Sequence, residues 1–283
     1  MNEATRWRPV QKLDKRRKTL FTIAFAATFL AAIAVAGELS GDRGLTTNLA
    51  MRQLPPSFTH PFGTDWLGRD MFARTLLGLR ASLGVGLTAA LFSSVIALCL
   101  GLASATLGRT VDRVITLLVD AVISTPHLVL LLLISFVCGG GARGIIIAVA
   151  VTHWPALTRV IRAEVLQLQA SEYVQLSRKL GKSPLFIARR HMLPHVAPQF
   201  LVGLLLLFPH AILHAAALTF LGFGMSPHTP EIGALLADAM RYLSLGLWWL
   251  AIAPGVALIF TVKTFDTLGA NTRALLDPKT CRE

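Results

Sequence analysis

Six runs of mostly apolar residues, at roughly 19–37, 82–107, 114–137, 144–161, 197–221 and 247–268, constrain this chain more than anything else in it. Each is close to the length that an α-helix needs to cross the hydrocarbon core of a bilayer, about 20 residues. Hydrophobic residues make up 54% of the 283, and the mean hydropathy is +0.61. A soluble domain of this length has no use for so much apolar sequence. The expected fold is therefore all-α: a polytopic membrane protein with six transmembrane helices.

Charge orients the helices. The formal net charge is +12. If the N-terminus is cytoplasmic, 20 Lys and Arg fall on the inside and 7 on the outside. The positive-inside rule then predicts N-in, C-in, with the 162–196 segment in the cytoplasm. The same distribution accounts for the basicity without nucleic acid, since no aromatics interleave with the charges as in RNA or DNA binders. Residues 1–18 read as a basic cytoplasmic N-terminus and 19–37 as the first transmembrane helix. Residues 38–81 read as an extracytoplasmic segment, 82–268 as a five-helix core and 269–283 as a cytoplasmic tail. Ala34-Val35-Ala36 could mark signal-peptide cleavage, but the apolar core from Leu20 is long for that, so a retained anchor helix is expected. Cys99, Cys138 and Cys281 show neither metal-type nor disulfide spacing.

Gly84, Gly86, Gly101, Gly203 and Gly255 lie inside the apolar runs. Small residues let helices approach closely in lipid, so a packed bundle is expected. Pro209 and Pro254 lie in the fifth and sixth runs, where each removes a backbone donor.

Between the fourth and fifth runs stands the polar segment SEYVQLSRKLGKSPLFIARRHMLP, residues 171–194. Residues 164–180 can form an amphipathic helix ending at Gly181, and Lys182-Ser183-Pro184 breaks it. Pro184 then opens a second helix, since proline suits a first helical turn. Leu185, Ile187 and Ala188 supply apolar positions; Lys182, Arg189 and Arg190 supply charge. Gly181 followed at fixed distance by His191-Met192-Leu193-Pro194 resembles the EAA loop of bacterial ABC-importer permeases. Gln175, Leu176 and Ser177 occupy the Glu-Ala-Ala places, and Glu172-Tyr173-Val174 supplies a lead-in found in the dipeptide/nickel branch. Three more segments resemble the second permease of that branch: HPFGTDWLGRDMFARTLLGLRASLGVG (60–86), LTFLGFGMSPHTPEIGALLADAMRYL (218–243) and LGANTRALLDPK (268–279).

This resemblance to the dipeptide/oligopeptide/nickel permease family implies a subunit of the bacterial inner membrane that forms half of a translocation path. It implies a second homologous permease, two ATP-binding subunits and an extracytoplasmic substrate-binding protein as partners, in a lipid bilayer and without nucleic acid. The chain has no Walker A pattern, so ATP and Mg belong at the partner subunits and this chain carries no cofactor and no enzymatic site. Coupling to the ATPase is expected from Glu172, Tyr173, Gly181, Lys182, Ser183, Pro184, Arg189, His191 and Pro194, with His191 more structural than contacting.

At the expected extracytoplasmic mouth, Asp65, Arg69, Asp70 and Arg74 can pair on a short helix entered through Gly63-Thr64-Asp65. A structural cap is favoured there over substrate contact. For the path, His210 and His214 stand at i, i+4 in the fifth run, and His153 stands in the fourth. Ionisable residues in a span are functional candidates, and imidazole suits Ni(II), Cu(II) or Zn(II). Two readings stand for His210 and His214: a transient metal or metal-chelate path, or polar packing between helices. Nickel-type placement of these histidines favours import of nickel or a chelated transition metal, with di- or oligopeptide import as the alternative. An intramembrane metalloenzyme finds little support, since His-Glu-x-x-His is missing.

Overall fold

The computed structural model describes residues 10–224 and 229–276. Residues 1–9 of the basic N-terminus, 225–228 of the 218–243 segment, and 277–283 of the tail with Cys281 lie outside the described residues. Eleven α-helices follow one another among the described residues: α1 (Val10–Leu39), α2 (Met71–Thr106), α3 (Arg109–Ser124), α4 (His127–Val137), α5 (Gly141–Thr152), α6 (Trp154–Gln169), α7 (Glu172–Lys179), α8 (Pro184–Ile187), α9 (Leu193–Leu218), α10 (Ile232–Met240) and α11 (Trp249–Leu276).

Five helical runs are long and apolar enough to cross a membrane: Arg16–Leu39, Met71–Thr106, Gly141–Gln169, Pro184–Phe223 and Trp249–Leu276. A sixth exists if α3 and α4 count as one span, but they are bent by 99° at their junction. The straight helix expected over 114–137 is thus two helices. The break has a local cause. Pro126 has no N–H for the carbonyl four residues back, Val122, and that carbonyl accepts only a long 3.4 Å bond from the Thr125 N–H. A milder interruption divides α5 from α6 at His153. Pro155 leaves the Val151 carbonyl without its helical donor, and the indole Nε1–H of Trp154 donates to it instead at 2.8 Å.

Two helices run longer than their apolar cores suggest. The second begins at Met71, eleven residues before the expected start, because Asp70 caps it: the Ala73 N–H donates to Asp70 Oδ1 at 2.8 Å. Asp65 and Arg69 therefore lie in the turn before α2, and the short separate helix expected around them does not form. The fifth span begins in the polar loop: α8 passes into α9 through a single wide turn at Ala188–Met192, without a break.

Alternating direction places both described ends at one end of the bundle. Glu38, near the end of α1, pairs with Arg80 in the early turns of α2. The far end of α2 meets the far end of α6, where Gln169 Nε2 donates to the Ala105 carbonyl. Phe208 of α9 stacks on Phe265 of α11 with ring centroids 3.8 Å apart. Two large buried cores divide the bundle along its length, and a small third one gathers Met71, Ala239, Trp249 and Leu250. One large core gathers α1, α2, α4, α5, α9, α10 and α11 around Phe208, Leu131, Ile145 and Ile212. The other gathers α2, α3 and α6 to α9 around Ile161, Val165, Val174, Ile187 and Met192. Leu117, Leu133, Phe136, Ile259, Phe260 and other large apolar side chains stay exposed on the outer faces.

Glycine permits close crossings. At Gly101 of α2 a Cβ would stand 2.7 Å from Ile161 Cγ2 and 2.9 Å from Ile161 Cβ of α6. Gly84, in the same helix, meets nothing within 4 Å. Overpacking a closed contact costs about 1–3 kcal/mol. Gly101→Val is therefore expected to lower the melting temperature of the purified protein in detergent, while Gly84→Val leaves it close to wild type.

Candidate functional site

Two sites stand out: the helical loop between α6 and α9, and a group of histidines inside the bundle. The loop is built by a sequence of local stops. Helix α6 ends at Gln169, and the Ser171 hydroxyl donates to the Leu168 carbonyl at 2.6 Å. The single helix expected over 164–180 is broken here, so α7 is a separate two-turn helix. Glu172 lies in its first turn, and Arg178 and Lys179 in its last, which suits the helix dipole at both ends. Gly181 takes φ +74°. Its N–H donates to the Arg178 carbonyl at 3.0 Å and the Lys182 N–H to the Ser177 carbonyl at 3.1 Å, the paired bonds of a Schellman stop. Two residues later Ser183 caps α8, accepting from the Phe186 N–H at 3.2 Å, with Pro184 at the first helical position.

Packing then sorts the loop's side chains. Val174, Ile187 and Met192 are buried against the bundle. Ile187 therefore faces inward, not toward a partner. Glu172, Tyr173, Gly181, Lys182, Ser183, Pro184, Arg189 and Pro194 are exposed, and so are Leu176, Leu180, Leu185 and Phe186. The result is an apolar knob with a basic rim. His191 is half-buried and acts as a clasp: Nε2 and the Ser177 hydroxyl share a 3.0 Å hydrogen bond, and its ring lies between Tyr173 and Phe186. Lys182 Nζ stands 5.2 Å from the Phe186 ring centre, a cation–π contact.

One fixing point escaped the sequence reading. Arg162 of α6 donates from Nε to Asp112 Oδ1 at 2.6 Å and from Nη2 to Asp112 Oδ2 at 2.7 Å, and Ser104 of α2 bonds the same carboxylate. The fork ties three helices together beside the loop. Asp112 and Arg162 fall just outside the expected apolar runs, which is the only signal that marks them.

At the other end, Asp65 is buried. Its Oδ1 accepts from the Leu67 and Arg69 N–H groups, both at 2.9 Å, and its Oδ2 accepts from Arg69 Nε at 2.7 Å. Arg74 stands 3.5 Å from the same oxygen and donates to the Gly44 carbonyl at 3.2 Å. Asp70 caps α2 and also meets His60 Nδ1 at 2.7 Å. All three expected mouth residues are thus engaged within the turn that leads into α2.

Inside the bundle the histidines regroup. His210 is exposed, and its Nδ1 turns back to the Leu206 carbonyl at 3.2 Å. His210 and His214 stand at i, i+4 on α9, but their side chains take different partners. His214 instead meets His153 and His127, with ring centroids 4.6 to 4.9 Å apart. Nothing in its sequence context gives His127 a role. The signal for it was its place directly after Pro126, where the third apolar run breaks.

The architecture is thus a bundle of membrane-length helices, two of them interrupted, that carries a compact helical knob at one end. Residues 97–280 match the family described as the inner membrane component of binding-protein-dependent transport systems, and this chain belongs to that family as a permease of the ABC-importer type in the bacterial inner membrane. Among its relatives is a putative peptide transport system permease protein of Brucella suis biovar 1, 33% identical over 95% of this chain and 90% of that one. The dipeptide transport system permease protein of Bacillus subtilis is 34% identical over 94% of this chain and 83% of its own. The fold is also that of the inward-facing MetNI methionine ABC transporter, with a TM-score of 0.58 at 19% identity, over 73% of this chain and 98% of that one.

The left-handed Gly181 makes the loop testable. A β-branched residue in that conformation costs about 1–2 kcal/mol. Gly181→Val is expected to speed hydrogen exchange across 172–183 while amides of α2 and α9 keep their protection.

Proposed function

We propose that this chain forms half of the translocation path of an ATP-driven, binding-protein-dependent importer of di- or oligopeptides. What carries the cargo is the set of relatives, whose names specify peptide and dipeptide transport. Nickel, favoured by the histidine pattern in the sequence, has no counterpart in those names. In the structure His210 Nδ1 meets the Leu206 carbonyl, while the His214 ring meets His153 and His127. A peptide cargo is therefore the better reading.

The mechanism follows from the loop. With N-in, C-in orientation, α7 and α8 project into the cytoplasm, where two ATP-binding subunits grip this knob and that of a second, homologous permease. ATP binding draws the ATPases together and moves both knobs. Val174, Ile187 and Met192 transmit the movement because they are packed into the core shared by α2, α3, α6 and α9. The spans then rock between inward- and outward-open states, and an extracytoplasmic binding protein delivers the peptide to the outer side. Tyr173, Leu185 and Phe186 supply the exposed apolar contact, with Glu172, Lys182 and Arg189 at its rim.

Two measurements test this reading. In cells carrying the complete system, a radiolabelled dipeptide is expected to accumulate in a manner that needs this chain and is competed by unlabelled peptide, with no uptake of nickel-63. Nickel uptake without peptide uptake would overturn it. For the knob, Leu185→Asp places a charge on the exposed apolar face without touching the buried side. Substrate-stimulated ATP hydrolysis by the reconstituted complex is expected to fall by roughly tenfold, the effect of about 1.4 kcal/mol at a contact, with membrane levels of the chain unchanged.

A further inference from the structure

His127, His153 and His214 converge from three separate places in the sequence, and each offers a ring nitrogen within 4.8 Å of the others. His127 opens α4 directly after the bend at Pro126, and His153 stands at the interruption between α5 and α6. His214 comes from α9, which runs unbroken past both interruptions. All three are half-buried. His153 lies near the middle of the Gly141–Gln169 span, which puts the group well inside the membrane thickness. Irregular backbone at such depth is tolerated where it lines a cavity or is covered by protein.

The hydrogen bonds fix the tautomers. His153 Nδ1–H donates to the Val149 carbonyl at 3.1 Å, and His214 Nδ1–H donates to the His210 carbonyl at 2.8 Å. Both Nε2 atoms are left as lone pairs. His153 Nε2 stands 3.3 Å from His214 Nδ1, close enough to take a second, weaker share of that N–H. An imidazole that gives one N–H to a backbone carbonyl and keeps its other nitrogen as a lone pair is oriented as metal-bound histidines are. The group consists of imidazoles only, which selects borderline ions such as Zn(II), Ni(II) or Cu(II) over the hard, oxygen-seeking Mg(II) and Ca(II).

We propose that His127, His153 and His214 form a three-imidazole binding site for one divalent transition-metal ion in the interior of this permease. Two nitrogens on one tetrahedral zinc lie about 3.3 Å apart, given Zn–N bonds of about 2.0–2.1 Å. The three candidate ligand nitrogens, all within 4.8 Å of one another, lie close to that spacing. Three protein ligands leave a fourth position open, and an amine or carboxylate of a peptide in the path is chemically suited to fill it. The ion would also tie together the three helical elements that meet at the breaks. This site stands whether the cargo is peptide or metal.

The test uses the complex of this chain with its partner permease and ATPases, reconstituted in lipid and stripped of metal with a chelator. Zinc(II) alone and cobalt(II) alone are titrated against wild type, His127→Gln, His214→Gln and His210→Gln. Wild type is expected to bind one ion per copy of this chain more than either cluster variant, and to give cobalt d–d absorption of tetrahedral strength. Each cluster substitution should weaken binding at least about tenfold. His210→Gln should leave it unchanged, because only the main-chain carbonyl of His210 takes part. If one cluster variant does not assemble, the other carries the comparison at equal melting temperature. Absence of that extra ion in wild type, equal binding by both cluster variants, or equal loss in His210→Gln would each overturn the site. None of these readouts depends on transport, so failure of peptide uptake would not be mistaken for failure of the site.

Discussion

One buried seam holds the helical loop between α6 and α9 to the bundle, and the coupling proposed for that loop depends on it. Val174 of α7, Ile187 of α8, and Met192 and Val196 around the start of α9 lie fully buried against Ile161, Val165 and Leu168 of α6. A loop joined to its bundle only by two chain connections would swing when pushed and pass little on. Here each buried aliphatic side chain contributes about 1.5–3 kcal/mol where the loop faces water, so the knob and the spans move as one packed body. The unbroken passage from α8 into α9 adds a second link, since a push on the knob is a push on a helix that continues through the membrane.

Close approach does the corresponding work within the bilayer, where apolar surface gains little from leaving lipid for another helix. Gly101 seats Ile161 and Gly203 seats Leu157, so α2, α6 and α9 meet at glycines. The Asp112–Arg162–Ser104 fork then closes the end of that assembly nearest the knob. Far from it, Asp65 organises the turn into α2 with Arg69 and Arg74.

Much of this was legible in the residue order because it is local. Apolar length marks a spanning helix wherever it occurs. Gly181 followed by Ser183-Pro184 stops one helix and starts the next through bonds that reach no further than five residues, and the structure has that stop and start in place. The errors were local too, but of finer grain. Ser171 ends α6 early with its own hydroxyl, Asp70 starts α2 early with its carboxylate, and Pro126 bends the third run by 99°. A hydropathy pattern averages over single side chains and passes across all three.

The histidines show where that reasoning ends. His127, His153 and His210 all lie within two residues of a proline in apolar sequence, and His210 and His214 share a helix at i, i+4. Helical spacing pairs His210 with His214, and the fourth run adds His153 to the candidates. The folded chain brings His214 to His153 and adds His127, because which side of α9 faces α4 and α5 is settled by packing summed over the whole bundle. By itself, then, the sequence determined a membrane-spanning helical protein, its family and the helical stop and start of its polar loop, all encoded in composition, short-range bonds and recognisable segments. Only the tertiary structure decided which imidazoles meet, since a contact between residues 61 positions apart depends on the rotation and depth of whole helices, and no short stretch of sequence specifies either.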